Sequence, residues 1–321
     1  MTPIRLGLIG VGRWGRVYLQ TIAELADRCM VSDVATSRPD ELPPIADFRP
    51  RLHRRPEDLL AGDCQAVIIA TPPHTHAAML EACLQAGKPC LIEKPLCLDV
   101  DTAERLRAQV EQSHIPVLVD HTQLFHPAYE ILRRSLAQTG EPIRRIIAEG
   151  MSLGPFRMHT TPVWDWGPHP ASQILDLLGR RPEEVRALAG PPSPGGVPEL
   201  LSAHLIFSGG VSAWMQIGTT WPIKRRSLAV FTAQHLYLLD DLAPEPLRAG
   251  ALDLIARYDG GVPDPMTLKP LAVPAGPRPM VRLLQTFCDG LAGGDRSRFG
   301  LGLACDVVHV LTEIQRITTE R

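Results

Sequence analysis

The sequence predicts an α/β protein of two domains, with a wound parallel sheet in the first half and an open, mostly antiparallel mixed sheet in the second. Three observations predict it. A glycine-rich turn, Gly10-Val11-Gly12-Arg13-Trp14-Gly15, follows an apolar run at the chain start; short apolar runs alternate with helical periodicity as far as Val119; and longer polar-apolar alternations take over beyond about residue 122. The 321 residues exceed one average domain, and 45% hydrophobic content can bury two modest cores. The expected division is 1–121 and 122–321.

In the first half, Ile4 to Ile9 reads as a strand, the glycine turn follows, and Val17, Leu19, Ile22, Ala23 and Leu25 approximate helical spacing before a second apolar run at Met30 to Ala35. In this setting Gly10 makes the tight turn, Gly12 lets the backbone approach a pyrophosphate, and Gly15 lets the helix pack on the strand. The helix N-terminus then offers free amides and its dipole to phosphate. A glycine turn between a strand and a helix is the context a dinucleotide site requires. The alternation continues with strands at Ala66 to Ala70, Pro89 to Ile92 and Ile115 to Val119, and helices at His76 to Ala86 and Thr102 to Gln112. Continuous apolar strands between helices imply a parallel sheet covered on both faces, with its ligand at the carboxyl ends of the strands.

Those ends carry Thr71-Pro72-Pro73-His74-Thr75-His76, Glu93-Lys94-Pro95 and Asp120-His121. A lysine delivered there suggests chemistry on what the nucleotide carries. His74 and His76 are open to two readings, ribose contact or helix start, and Asp120 and His121 are equally open. After the second strand stands Thr36-Ser37-Arg38, where an NAD site usually has Asp or Glu on the ribose 2′-hydroxyl. Hydroxyls and a guanidinium suit a 2′-phosphate, and Arg13 adds positive charge, so NADP(H) is favoured over NAD(H). The opposing reading makes Arg38 a solvated turn residue and gives the acidic job to Asp33. The full expected cofactor set is Gly10, Gly12, Arg13, Trp14, Gly15, Thr36, Ser37, Arg38, Thr71, Pro72, His76, Glu93 and Lys94.

The second half shows strand-like runs at Ile146 to Met151, Ser202 to Phe207, Val211 to Thr219, Ser227 to Phe231 and His235 to Leu239, with Ser208-Gly209-Gly210 as a hairpin turn and Gly190 to Pro198 as a surface loop. Between them Trp164-Asp165-Trp166-Gly167-Pro168-His169 leads into a helical pattern at Ala171 to Leu178. Asp165 and His169, four apart at a helix entry, suit a proton relay; taken alone Asp165 is more often a helix cap and His169 a satisfied core histidine, and their match to Lys94 reverses that reading.

Composition excludes several classes of partner. With 33 basic against 35 acidic residues the net charge is −2, without the basic field that nucleic acid requires. No apolar run is long enough to span a bilayer, and the N-terminus enters a strand almost at once, leaving no room for a signal peptide, so a cytoplasmic protein with a small-molecule partner is expected. The seven cysteines form no C-x-x-C pair and no regular spacing with histidine, so neither metal nor disulfides are expected.

Taken together, the chain resembles the glucose-fructose oxidoreductase, inositol dehydrogenase and rhizopine-catabolism (Gfo/Idh/MocA) family. The resemblance rests on GVGRWG, ATPPHTHAAMLEACLQAGKPCLIEKPL, HTQLFHPA, DWGPHPASQILDLLG and KRRSLAV, which span nearly the whole length. It implies an N-terminal Rossmann domain and a C-terminal α/β domain whose open mixed sheet commonly mediates oligomers, here a homodimer or homotetramer. It also implies catalysis by the lysine of the EKP segment with an aspartate and a histidine of the second domain, which map to Lys94, Asp165 and His169. The implied reaction is hydride transfer between a nicotinamide and a hydroxyl- or carbonyl-bearing carbon of a sugar, cyclitol or related polyol; either Lys94 or His169 serves as principal acid or base. Two departures touch the substrate wall. Ser172 stands where many members have an aspartate, and Asp120-His121-Thr122-Gln123 replaces an arginine or tyrosine pattern. His121, Gln123, Arg157 and Trp164 are the expected substrate contacts, with His159 also bordering the pocket. The competing functions are a non-catalytic NADP-binding regulator and a reductase of an imine or tetrapyrrole.

Overall fold

The computed structural model describes residues 2–42, 48–154, 161–192, 198–252 and 268–319. The chain divides into two compact units, Met1–Thr122 with Pro277–Val308, and Gln123–Gly276 with His309–Arg321. The division expected at 121/122 is therefore corrected in its second part. Pro277–Val308 groups with the first unit, because the helix Pro279–Leu291 buries its apolar stripe (Met280, Leu283, Leu284 and Phe287) there.

The first unit is a six-stranded parallel sheet. Its strands are β1 (Ile4–Ile9), β2 (Cys29–Ala35), β3 (Arg51–His53), β4 (Ala66–Ile69), β5 (Cys90–Glu93) and β6 (Val117–Asp120), in the order β3-β2-β1-β4-β5-β6. Helices α1 (Arg13–Ala23), α2 (Pro56–Leu60), α3 (His76–Gln85) and α4 (Val100–Ser113) alternate with the strands. β4 and β5 are buried at every position, as expected of a sheet covered on both faces. The chain starts in the middle, winds outward to β3 and returns to β4 beside β1. That reversal is the switch point at which such sheets bind ligands.

β3 has no apolar run and was not legible in the sequence. Buried polar chemistry holds it: Arg51 Nε donates to Asp33 Oδ1 at 3.0 Å, His53 Nε2 lies 2.8 Å from the same oxygen, and Ser32 donates to Oδ2 at 2.8 Å. Burial pushes the Asp33 carboxyl up, but the bonds from His53, Ser32 and Arg51 outweigh it and hold the group below the usual carboxylate range.

The second unit is built on an eight-stranded sheet of order β14-β13-β12-β11-β7-β10-β9-β8. Its strands are β7 (Arg145–Leu153), β8 (Glu184–Ala189), β9 (Leu200–Ile206), β10 (Ser212–Gly218), β11 (Thr220–Phe231), β12 (His235–Asp240), β13 (Leu247–Ala251) and β14 (Lys269–Pro270). All its neighbours pair antiparallel except β7 with β10. The predicted α/β class with a mostly antiparallel second sheet thus holds. Ser208–Gly210 is the turn between β9 and β10, and the interior of the predicted loop at Gly190 to Pro198 lies outside the described residues. The helices of this unit are α5 (Pro127–Thr139), α6 (Pro162–Asp165) and α7 (Pro168–Leu178). Pro279–Leu291 is α8, and α9 (Gly302–Thr319) begins in the first unit and ends in the second. Among the described residues no helix is long and apolar enough to cross a membrane, and no group of His, Cys, Asp and Glu could hold a metal ion.

Candidate active site

In the first unit the predicted cofactor residues gather at the carboxyl ends of β1, β2, β4 and β5. Gly10 follows β1 with φ +94°, and a Cβ there would lie 2.7 Å from the Ala70 carbonyl oxygen at the end of β4. A Cβ on Gly15 would overlap the Gly10 carbonyl oxygen, so strand β1 and helix α1 approach as only glycine permits. Gly12 caps α1 with no side-chain hydrogen bond, and a Cβ there would meet nothing within 4 Å. An uncapped helix N-terminus facing open space is the cradle a dinucleotide pyrophosphate needs, so the residues present fit that group. Replacing Gly15 by alanine is expected to weaken dinucleotide binding at least tenfold and to destabilise the fold by about 1–3 kcal/mol, as read by cofactor titration and thermal unfolding.

Beside this turn, Arg13, Arg16 and Arg38 line a cleft of about 470 Å³ together with Gly12, Val17 and Gln20. The Thr36-Ser37-Arg38 turn is ordered by the Arg38 amide, which donates to Thr36 Oγ1 at 3.1 Å. Arg16 was missed by sequence reasoning, yet the signal was there. Three residues after Arg13 on a helix, it falls on the same face. Asp33, the acidic alternative, is fully buried and committed to Ser32, Arg51 and His53. It is not available to a ribose.

His76 opens α3, the second of its two readings. It is fully buried, with Nδ1 2.7 Å from the Pro95 carbonyl oxygen and Nε2 2.9 Å from that of Thr71. It braces the Thr71-Pro72 loop against the Lys94-Pro95 loop rather than offering a ring nitrogen to a cofactor. Burial drives its pKa down, against the pull of the two carbonyls. Glu93 ends β5 and Lys94 follows it, both largely sequestered, with Asp120 of β6 the register partner of Glu93. His121 follows β6, buried, its amide donating to the Val119 carbonyl at 2.8 Å.

In the second unit, Asp165 ends the single turn α6 and His169 lies in the first turn of α7. Gly167 joins the two; a Cβ on it would collide with the Val163 carbonyl and come within 2.7 Å of Leu311 on α9. The tight junction fixes both residues in one short segment. Ser172, at the position of the departure, is fully buried and donates to the His169 carbonyl at 2.9 Å. His169 and Gln123 border a narrow cavity of about 20 Å³ with Trp166, Gln173, Glu149, Arg226 and Asp241. That is room for about one water. Glu149 accepts from Ser227 at 2.6 Å, and Arg226 pairs with Asp241 at 3.3 Å.

Trp164 is a correction. It is only 5% exposed, does not border this cavity, and donates its indole N–H to Gln315 of α9. Trp166 takes the wall position, edge-on to the His169 ring at 6.5 Å. Arg157 and His159 lie outside the described residues. Glu149 lies on β7, Arg226 on β11 and Asp241 in the turn after β12, so no local motif joins them.

Comparison with known proteins supplies the family. Residues 4–121 match the model of the Gfo/Idh/MocA oxidoreductase family, NAD-binding Rossmann fold. The chain is 29% identical over 308 residues to UDP-N-acetylglucosamine 3-dehydrogenase of Acidithiobacillus ferrooxidans, covering 91% of this chain and 94% of that one. The solved structure of that enzyme shares the fold, with a TM-score of 0.86 at 22% identity over 100% of this chain and 99% of the other. Inositol 2-dehydrogenase 1 of Saccharopolyspora erythraea is 32% identical over 148 residues, 44% of each chain. A crystal structure from Magnetospirillum magnetotacticum, described as an oxidoreductase, aligns at 34% identity and TM-score 0.83 over 96% of this chain and 98% of its own. With the glycine cradle, the EKP segment and the two-sheet architecture in place, this chain belongs to the Gfo/Idh/MocA family of nicotinamide-dependent oxidoreductases.

Proposed function

We propose that the protein is an NADP(H)-preferring dehydrogenase that moves a hydride between the nicotinamide and a hydroxyl- or carbonyl-bearing carbon of a sugar, cyclitol or related polyol. The carrying observation is the arginine cleft at the start of α1, with Lys94 at the carboxyl edge of the same sheet. Three guanidiniums lining one cleft, with Asp33 buried and held by Ser32, Arg51 and His53, suit a 2′-phosphate, and a lysine at that edge serves chemistry rather than binding alone. The relatives' names supply the substrate class, since one is a dehydrogenase of a sugar nucleotide and another of a cyclitol.

The bound nicotinamide supplies the hydride chemistry. Lys94 directs its ammonium at the substrate oxygen and stabilises negative charge as it develops there. His169 exchanges the alcohol proton, and Asp165 orients it. Gln123 and His121 are assigned to the substrate's hydroxyls. The order of proton steps between Lys94 and His169 is left to the pH dependence of their variants.

A homodimer or homotetramer through the second sheet is part of the same proposal. Ile147, Trp214, His204 and Arg186 share one register row across β7, β10, β9 and β8, so they share one face. Ile147, Leu188 and Trp214 are exposed there, and Trp214 stacks on His204 at 4.0 Å. Such a face is suited to a two-fold copy of itself. Seven cysteines, all unpaired thiols, suit the reducing cytoplasm.

The test is parallel titration with NADPH and NADH by nicotinamide fluorescence or calorimetry, followed by a panel of sugars and polyols. NADPH is expected to bind at least tenfold more tightly, a difference of about 1.4 kcal/mol, and to be oxidised by a carbonyl compound of the panel. Tighter NADH binding would sink the phosphate argument, and tight binding without turnover would favour a regulator.

A further inference from the structure

Beneath Lys94 lies a buried acidic cluster that the proposed hydride and proton transfers do not use. Glu93 and Asp120 are register partners at the ends of β5 and β6, 5% and 1% exposed. Tyr18 of α1, fully buried, donates its hydroxyl hydrogen to Asp120 Oδ2 at 2.5 Å, and Thr122 donates to Oδ1 at 2.5 Å. Both Asp120 oxygens therefore accept, as an ionised carboxylate does.

The Glu93 carboxyl is buried beside this arrangement, at the end of the neighbouring strand. Glu93 Oε1 has no hydrogen-bond partner, a condition far less costly for the carbonyl of a neutral acid than for a charged oxygen. We propose that Glu93 is a neutral carboxylic acid, and that the cluster carries one fixed negative charge, on Asp120, beside the Lys94 ammonium. Tyr18 and Glu93 are thereby positioning residues for Lys94.

The electrostatics agree. Burial first, and then the Asp120 charge, push Glu93 far above the usual carboxylate range, with Lys94 opposing. Burial also raises Asp120, but the Thr122 and Tyr18 hydroxyls and Lys94 oppose the rise. Burial and the Asp120 charge keep Tyr18 protonated. His76 of α3 also faces Lys94, and burial drives its pKa down. A second ionised carboxylate would leave the cluster one negative charge in excess within the protein interior.

The direct test needs no substrate. The infrared spectrum of the apo protein in heavy water at pH 7 is expected to show a protonated-carboxyl band that Glu93→Gln removes. A wild-type spectrum without that band, or a band that survives Glu93→Gln, overturns the proposal. Carboxyl-carbon NMR titration of the wild-type chain gives the same reading should the variant fail to fold. The positioning role rests on the dehydrogenase reading and has its own readout. Tyr18→Phe is expected to move the acid limb of the kcat profile up by about one pH unit, with NADPH affinity changed by less than about threefold. An unmoved limb overturns the positioning role; absence of turnover in the wild type counts against the dehydrogenase reading alone and leaves the infrared result standing.

Discussion

Replacing Lys94 by alanine is expected to lower kcat by about 10²–10³-fold while changing the NADPH dissociation constant less than about threefold. The magnitude follows from removing one preorganised donor aimed at developing charge, which acts only as the reaction proceeds. The residue is 9% exposed, with the buried carboxyl groups of Glu93 and Asp120 beside it on β5 and β6. Its charge is therefore poorly replaced by solvent. Lys94→Arg keeps the charge but replaces a compact ammonium with a planar fork, and is expected to recover only part of the loss. Stopped-flow measurement of hydride transfer under single-turnover conditions separates chemistry from release. A Lys94→Ala enzyme that turns over near the parental rate would show that Lys94 serves the fold and not the reaction.

Arg38→Ala is expected to raise the NADPH dissociation constant about 10- to 100-fold while leaving that of NADH within about twofold. A charge-assisted hydrogen bond to phosphate contributes roughly 1.5–3 kcal/mol. Arg16→Ala should act in the same direction, since Arg13, Arg16 and Arg38 line one cleft. The double variant should lose most of the discrimination between the two cofactors. The loss must also shrink at high salt, because the cleft is open to solvent and its field is screened. Equal weakening of NADPH and NADH would mean that the arginines grip the pyrophosphate or only order the turn.

The first unit was largely legible because its signals are local. The glycine turn works through atoms within a few residues: Gly15 needs room against Gly10, five positions away. Buried strands such as Ala66–Ile69 and Cys90–Glu93 announce themselves as unbroken apolar runs. Lys94, Asp165 and His169 stood out for the same reason, each at a motif closing a strand or opening a helix. Helix α8 lies within the stretch 122–321 expected as one domain yet groups with the first unit, because position along the chain does not say against what a helix packs.

The sequence by itself determined the α/β class, the glycine cradle, the family and the chemistry-bearing segments, since these depend on backbone conformation and short-range periodicity. Only the tertiary structure decided which polar groups meet. It withdrew Asp33 into a bond with β3, turned His76 into a brace between two loops and sent the Trp164 indole to Gln315. It also brought Tyr18 to Asp120 across a sequence separation of 102 residues. A buried polar side chain must find its hydrogen-bond partner wherever the fold supplies one, and no local pattern specifies that partner.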